Sequence, residues 1–255
     1  MKNYYFISDA HLGCRALEHH RTQERRLVRF LDNIKHKAEA VFMLGDMFDF
    51  WFEYRDVVPR GFTRFLGKVS ELTDLGVEVH YFMGNHDLWC EDYLVKECGV
   101  ILHKGSCTLE LCGKEFFLAH GHKLDEKEMD WKTRLMFRCF ESQFLRKLAK
   151  TIHPRWFINF GMNWAKHSRL KHLEKGEPYK GEAEEGLVCF AKEYLKSHPT
   201  INYFLFGHRH IDLDIFLSRE CRLMILGEWY SLFTYAVFDG ENMYMDNYIE
   251  GETQL

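Results

Sequence analysis

"YYFISDAHLG", residues 4–13, sets Asp9 and His11 at the end of an apolar run that starts almost at the N-terminus. Alone this is a weak signal, because Asp and Gly also build ordinary turns and a single buried His is commonly only hydrogen-bonded. Its weight comes from recurrence. "AVFMLGDMFDF" (40–50) places Asp46 and Asp49 behind the run at 40–44, and "VEVHYFMGNHDLW" (77–89) places Asn85, His86 and Asp87 behind 77–83. "EFFLAHGHKLD" (115–125) places His120 and His122 behind 115–119, and "INYFLFGHRHIDL" (201–213) places His208 and His210 behind 201–206. Polar clusters repeated behind apolar runs bring Asp, Asn and His to the carboxyl ends of neighbouring strands, where open α/β sheets bind ligands. Carboxylates and imidazoles are tolerated there when they are paired or bound to a metal.

Between the first runs the spacing turns helical. Leu27, Phe30, Leu31 and Ile34 recur at three and four residues, as do Phe62, Phe65, Leu66 and Val69. Strand and helix in alternation predict parallel strands in a covered sheet. Further short strands are expected at 100–103, 107–111, 115–119, 201–206, 213–217, 223–226, 233–238 and 243–248, the late group fitting a second sheet packed on the first. The expected fold is α/β, a four-layered αββα sandwich. One domain is expected over 1–255, with a helical lid inserted at about 123–198 and a loop at 174–184.

Composition bounds the partners. The chain has 255 residues, 46% hydrophobic and 28% charged, with 22 Phe, 12 Tyr and 6 Trp. A formal charge of -4 argues against a general nucleic-acid binder. Yet residues 131–175 carry 11 Lys or Arg against two acids, a local basic segment able to meet an anionic partner. Eight cysteines without a C-x-x-C pair, and no signal-peptide pattern at the start, predict free and mostly buried thiols in the cytoplasm. No apolar stretch is long enough for a membrane span, which leaves attachment to a membrane surface open.

The ordered motifs "DAH", "GDMFD", "GNHD", "AHGH" and "GHRH" resemble those of the calcineurin-like binuclear metallophosphoesterases, and they span residues 9–210. The resemblance implies one metal held by Asp9, His11, Asp46 and His210, and a second held by Asp46, Asn85, His120 and His208, with Asp46 bridging. It places His86 beside the phosphoryl oxygens, so Asp46 and His86 are the candidate catalytic residues. Carboxylate, amide and imidazole donors without thiolate suit two divalent ions, Mn²⁺, Fe or Zn²⁺. Two ions about 3.5–4 Å apart can share and activate a water and clamp the oxygens of an in-line displacement at phosphorus. Asp49 and Asp87 read as carboxylates that orient ligands, or as loop caps. His122 reads either as such a support or as a substrate contact.

The segment from 123 to 198 must supply specificity. Met136, Phe140, Phe144 and Leu148 fall on one helical face, and Phe157, Phe160 and Trp164 mark another after the break at Pro154. Arg134, Arg138, Arg146, Lys147 and Lys150 interleave with the first set. These stripes read as a core hairpin or as a lid greasy within and basic at its rim, fit for an amphiphile and for anionic lipid. With "HPRWFINFGMNWAKHSR" (153–169) and the late "LGEWY" (226–230), the whole chain resembles the UDP-2,3-diacylglucosamine pyrophosphatase family. That resemblance implies a UDP-linked diacylated glucosamine as substrate, cleaved to UMP and a lipid 1-phosphate with Mn²⁺ at the cytoplasmic face of the inner membrane. No protein partner is indicated. His86, Arg155, Lys166 and Arg169 would neutralise the phosphates, Ser168 would add a hydrogen bond, and Phe140, Phe144, Phe160 and Trp164 would contact the acyl chains. The chain departs from the family in carrying His86 where its best-known members have Arg, and HGH where they show HGD. Another binuclear phosphoesterase, acting on a different lipid pyrophosphate, a nucleotide or a phosphoprotein, is the alternative, and a non-catalytic scaffold the more distant one.

Overall fold

Strands whose two faces are both apolar must be covered on both sides, and here two sheets cover each other on one side and helices cover them on the other. The computed structural model describes residues 3–17, 20–124, 131–175 and 178–249. Part of the expected insertion (125–130) and part of the expected loop (176–177) lie outside the described residues. The first sheet contains β1 (Asn3–Ile7), β2 (Ala38–Met43), β3 (Glu78–Phe82), β4 (Ile101–His103), β10 (Thr234–Phe238) and β11 (Met243–Asn247), in the order β11-β10-β1-β2-β3-β4. β1 to β4 run parallel, and β10 joins β1 antiparallel. The second sheet contains β5 (Cys107–Leu111), β6 (Lys114–Leu118), β7 (Ile201–Phe206), β8 (Leu213–Phe216) and β9 (Arg222–Ile225), in the order β5-β6-β7-β9-β8, with β6, β7 and β9 parallel.

Period-two alternation sorts the side chains. Phe6, Phe42, Leu44, Phe82, Phe116, Leu118, Leu205 and Phe238 fill the space between the sheets. Ile7, Val41, Met43 and Val79 face the other way, onto α1 (His20–Ile34) and α2 (Thr63–Asp74), which bury Leu27, Phe30, Leu31, Phe65 and Val69. Leu187, Val188 and Ala191 of α7 (Gly186–Ser197) pack on Phe117, Phe204 and Phe206 of the second sheet. The result is the four-layered αββα sandwich.

Four expectations change in detail. The late strands do not form a sheet of their own: β10 and β11 return to the first sheet, while β5 and β6 belong to the second. Partner choice between distant strands is a long-range matter that local pattern does not encode. The helical face expected through Met136, Phe140, Phe144 and Leu148 is divided between two helices, α4 (Trp131–Glu141) and α5 (Gln143–Ala149), because Ser142 leaves the helical conformation and its side chain accepts a hydrogen bond from Leu145 N at 3.4 Å. The face expected at Phe157, Phe160 and Trp164 lies on α6 (Pro154–Lys175), with Pro154 at its first position as its fixed φ favours. The expected boundary of the insertion takes in α7, whose apolar face belongs to the second sheet; α4, α5 and α6 pack instead on Phe50, Phe52, Leu88 and Trp89, behind β2 and β3. All eight cysteines are free, but only Cys14, Cys90, Cys98 and Cys221 are buried.

Candidate metal centre

The segments behind β1, β2, β3, β6 and β7 meet at one end of the sandwich. Backbone bonds stitch them together: Asp9 N donates to Gly45 O at 3.0 Å, His11 N to Asp46 O at 2.9 Å, and Gly207 N to His120 O at 3.0 Å. Asp9 (φ 53°), His11 (43°), Asp46 (52°), His208 (69°) and His210 (51°) all hold left-handed backbone, shared among the described non-glycine residues only by Phe62, Cys112 and Phe233. Each such residue costs on the order of 1–3 kcal/mol and persists only where its surroundings over-determine it, which is typical of functional sites. The motif glycines have a steric reason. A Cβ at Gly84 would collide with the Asp46 carboxylate, and one at Gly207 with Ser8 and Asp9.

The ring nitrogens and carboxylates converge. His210 Nε2 lies 3.2 Å from Asp9 Oδ1 and 3.2 Å from His11 Nε2, which is itself 3.5 Å from Asp9 Oδ1 and 3.8 Å from Asp46 Oδ2. His120 Nε2 lies 3.4 Å from Asp46 Oδ2 and 3.1 Å from Asn85 Oδ1. Three overlapping groups have donor atoms close enough to hold an ion: Asp9, His11 and His210; Asp9, Asp46 and His120; and His11, Asp46 and His86. Asp46 joins two of them, and they describe a binuclear divalent centre. His208 stands at the edge, its ring 5.1 Å from that of His120 and its backbone N donating to Asp9 Oδ2 at 2.8 Å.

The electrostatics fit cations. Burial alone would raise the pKa of Asp9, yet hydrogen bonds with His11 and His210 hold it well below the carboxylate range. Asp46 behaves alike, burial being outweighed by the charges of His120 and His86. In return Asp46 drives His120 up to about 9 against burial, and Asp49 and Asp9 raise His11 against burial and Arg169. Burial lowers His86, pushes His208 well down, and takes His210 to about 4. The upward shifts of His11 and His120 mark the positive charge that the buried carboxylates demand, the charge that ligated ions would supply. His120 Nδ1 donates to Leu44 O at 2.8 Å, an orientation that turns Nε2 into the centre.

Supporting groups complete the site. Asp49 Oδ1 is 3.4 Å from His11 Nδ1. Asp87 accepts from Met47 N, Gly84 N and Tyr81 OH, bracing the Asp46 and Asn85 segments; burial and the Asp46 charge raise its pKa to about 6. Arg169, on α6, is buried and donates to His210 Nδ1 at 3.0 Å, with Tyr230 OH at 3.4 Å; among the described residues no carboxylate pairs with it. His122 is buried, and neither of its ring nitrogens has a partner; burial and the His120 charge take its pKa to about 3.

An apolar cavity of about 210 Å³ adjoins the centre, lined by Phe50, Phe52, Trp89, Phe140, Phe157 and Trp164 among others. The Trp164 ring is 6.0 Å from that of His86. Of the four aromatics expected to meet acyl chains, Phe140, Phe160 and Trp164 line the cavity and Phe144 does not: it is 74% exposed. Arg155 is exposed in the first turn of α6, about 20 Å along the axis from Arg169 at about 1.5 Å a residue, too far to share a phosphate with it. Lys166 is exposed and Ser168 half-buried on the same helix. Sequence reasoning missed Phe50, Phe52 and Trp89 as the cavity floor. The run "FDFWF" (48–52) was the available signal, an apolar stretch behind the motif with no strand to belong to.

Comparison with known proteins agrees with this geometry. The family model for calcineurin-like phosphoesterases matches residues 3–212. A UDP-2,3-diacylglucosamine hydrolase from Porphyromonas gingivalis is 44% identical over 254 residues, covering 95% of this chain and 96% of that protein. Another, from Vibrio vulnificus, is 31% identical over 246 residues, covering 89% of each. The chain belongs to the calcineurin-like phosphoesterases and, within them, to the UDP-2,3-diacylglucosamine hydrolase family.

Proposed function

We propose that the protein hydrolyses the pyrophosphate bond of UDP-2,3-diacylglucosamine, releasing UMP and 2,3-diacylglucosamine 1-phosphate for lipid A biosynthesis. One juxtaposition carries the reading: Trp164 both lines the apolar cavity and stands 6.0 Å from His86 at the polar centre. A phosphate held at the centre and an acyl chain held in the cavity can therefore belong to one molecule.

Asp9, His11, Asp46 and His210 would hold one ion, and Asp46, Asn85, His120 and His208 the other, with Mn²⁺ favoured and Fe or Zn²⁺ compatible with these donors. When bound, such a pair activates water and neutralises phosphoryl oxygens. The chain's own residues do the rest. Arg169 offers a permanent, desolvated charge whose Nε has no partner, a fit for the diphosphate. His86 Nδ1 donates to Asp49 O at 2.8 Å, so Nε2 can donate to a phosphoryl oxygen only from the imidazolium; burial keeps the ring neutral until an anionic phosphate beside it favours the proton. His122, unpartnered beside His208, and Ser168 and Lys166 on α6 are the further substrate contacts in this reading. Water adds to the phosphorus next to uridine, the bond to the bridging oxygen breaks, and the lipid phosphate leaves with that oxygen.

The same helices would rest on the cytoplasmic face of the inner membrane. Trp131, Phe144, Leu148 and Trp156 are exposed beside Lys132, Lys147 and Arg155. Among the described residues no helix is long and apolar enough to cross a membrane. The reading is tested by incubating Mn²⁺-loaded protein with UDP-2,3-diacylglucosamine in water labelled with heavy oxygen. UMP carrying the label and unlabelled lipid 1-phosphate are expected. An intact lipid substrate, with an aryl phosphodiester cleaved in parallel, would leave only the general phosphoesterase.

A further inference from the structure

Outside the ligand set lies a buried ion pair. The Glu185 side chain is fully buried, and its carboxylate receives Arg209 Nε at 2.6 Å and Nη2 at 3.3 Å, a two-pronged contact that fixes the plane of the guanidinium as well as its distance. Arg209 stands between His208 and His210, both left-handed at φ 69° and 51°. A segment with no glycine and two such residues needs outside anchors to stay in that shape. Asp9 Oδ2 grips its front through His208 N, and Arg209 N folds back onto Gly207 O at 2.8 Å. Glu185 is itself held: its N donates to Gly181 O at 2.9 Å and its O accepts from Cys189 N in the first turn of α7.

We infer that the Glu185–Arg209 pair is a clasp that sets His208 and His210, and thereby both ion sites at once, making the two residues positioning residues for the reaction. The inference rests on the ligand assignment proposed above, in which His210 serves one ion and His208 the other. The clasp also explains why a fully buried carboxylate meets a largely buried guanidinium at this turn, where a brace for α7 alone needs no ions. Removing one partner would strand the other's charge and release the middle of the turn.

The test measures Mn²⁺ affinity by titration calorimetry, with melting curves and steady-state kinetics on UDP-2,3-diacylglucosamine. Arg209→Met should weaken both ions by about 10- to 100-fold, as loss of groups behind metal ligands does. It should lower kcat in parallel and leave KM within about twofold. Arg209→Lys keeps the charge without the fork and should fall between; if Arg209→Met does not fold, this variant and Glu185→Gln carry the test. Val188→Ala loosens the same helix away from the pair and should lower Tm with both affinities unchanged. Wild-type affinities in Arg209→Met or, failing that, in Arg209→Lys and Glu185→Gln, or an equal loss in Val188→Ala at matched Tm, would overturn the clasp. If His208→Ala and His210→Ala also keep two ions, the ligand assignment falls and the clasp with it; if those two lose ions and Arg209→Met does not, the clasp falls alone.

Discussion

Asp46 reaches both halves of the centre. Its Oδ1 accepts His86 N at 2.8 Å, and its Oδ2 faces His120 Nε2 at 3.4 Å and His11 Nε2 at 3.8 Å. Asp46→Asn should therefore cost more than loss of any single terminal group, with both ions weakened and turnover down by at least about 10²-fold. Metal content measured beside rate decides; two retained ions at near-normal rate would refute bridging. His86→Ala separates two roles. A phosphate-facing His86 predicts both ions kept and kcat lowered about 10²–10³-fold, the cost of losing a donor to developing charge. Metal loss equal to that of Asn85→Ala would make His86 a ligand, with His11 and Asp46 as its neighbours. At this scale the sequence was informative about residue types, because the same polar punctuation recurred behind several strands. It was silent on Arg169 touching His210 and on the unpartnered His122, since both are distances between segments remote in the chain. Its placing of Arg155 at the phosphates failed for want of the helix rise.

The helices behind the site divide their aromatics between two tasks. Phe140 lines the cavity, with its ring 5.1 Å from Trp89 and 5.6 Å from Trp164, whereas Phe144 is exposed one turn further on, across the Ser142 break. Phe144→Ala should change stability by less than about 0.5 kcal/mol, as at other exposed positions, and should reduce retention on anionic vesicles while leaving turnover of dispersed substrate alone. Co-sedimentation with and without the substitution is the check; unchanged retention would remove α5 from the membrane contact. Helical spacing made Phe140 and Phe144 look equivalent, because a stripe shows a common face and cannot show the cap that interrupts it. Sheet membership was obscure for a related reason. Cys112 and Gly113, both with positive φ, close β5 and β6 into a tight hairpin, which local sequence can suggest, but which sheet receives that hairpin is decided by packing of Phe116 and Leu118.

For the molecule as a whole, the ion sites and the fold are linked through protons. His120 is raised to about 9 in the metal-free fold, so its contribution to stability is complete below about 6.5 and is lost as pH rises through 9, and His11 acts in the same direction. Metal-free protein should then melt at lower temperature as pH rises from about 6.5 to 9, while Mn²⁺ affinity rises over the same interval because ligation releases those protons. Melting curves with and without metal across that range test the linkage, and parallel trends would contradict it. Beyond stability, the centre and the cavity must act on one substrate. That is tested by kcat/KM for long-chain, short-chain and unacylated UDP-glucosamine, below the aggregation threshold, in wild type and Phe140→Ala. Each buried methylene is worth about 0.8 kcal/mol, so kcat/KM in wild type should fall steeply as the acyl chains shorten, and Phe140→Ala should flatten that dependence while sparing the unacylated substrate. Equal kcat/KM on all three substrates in wild type would contradict it, leaving the cavity as packing and the centre as a phosphoesterase without a lipid preference.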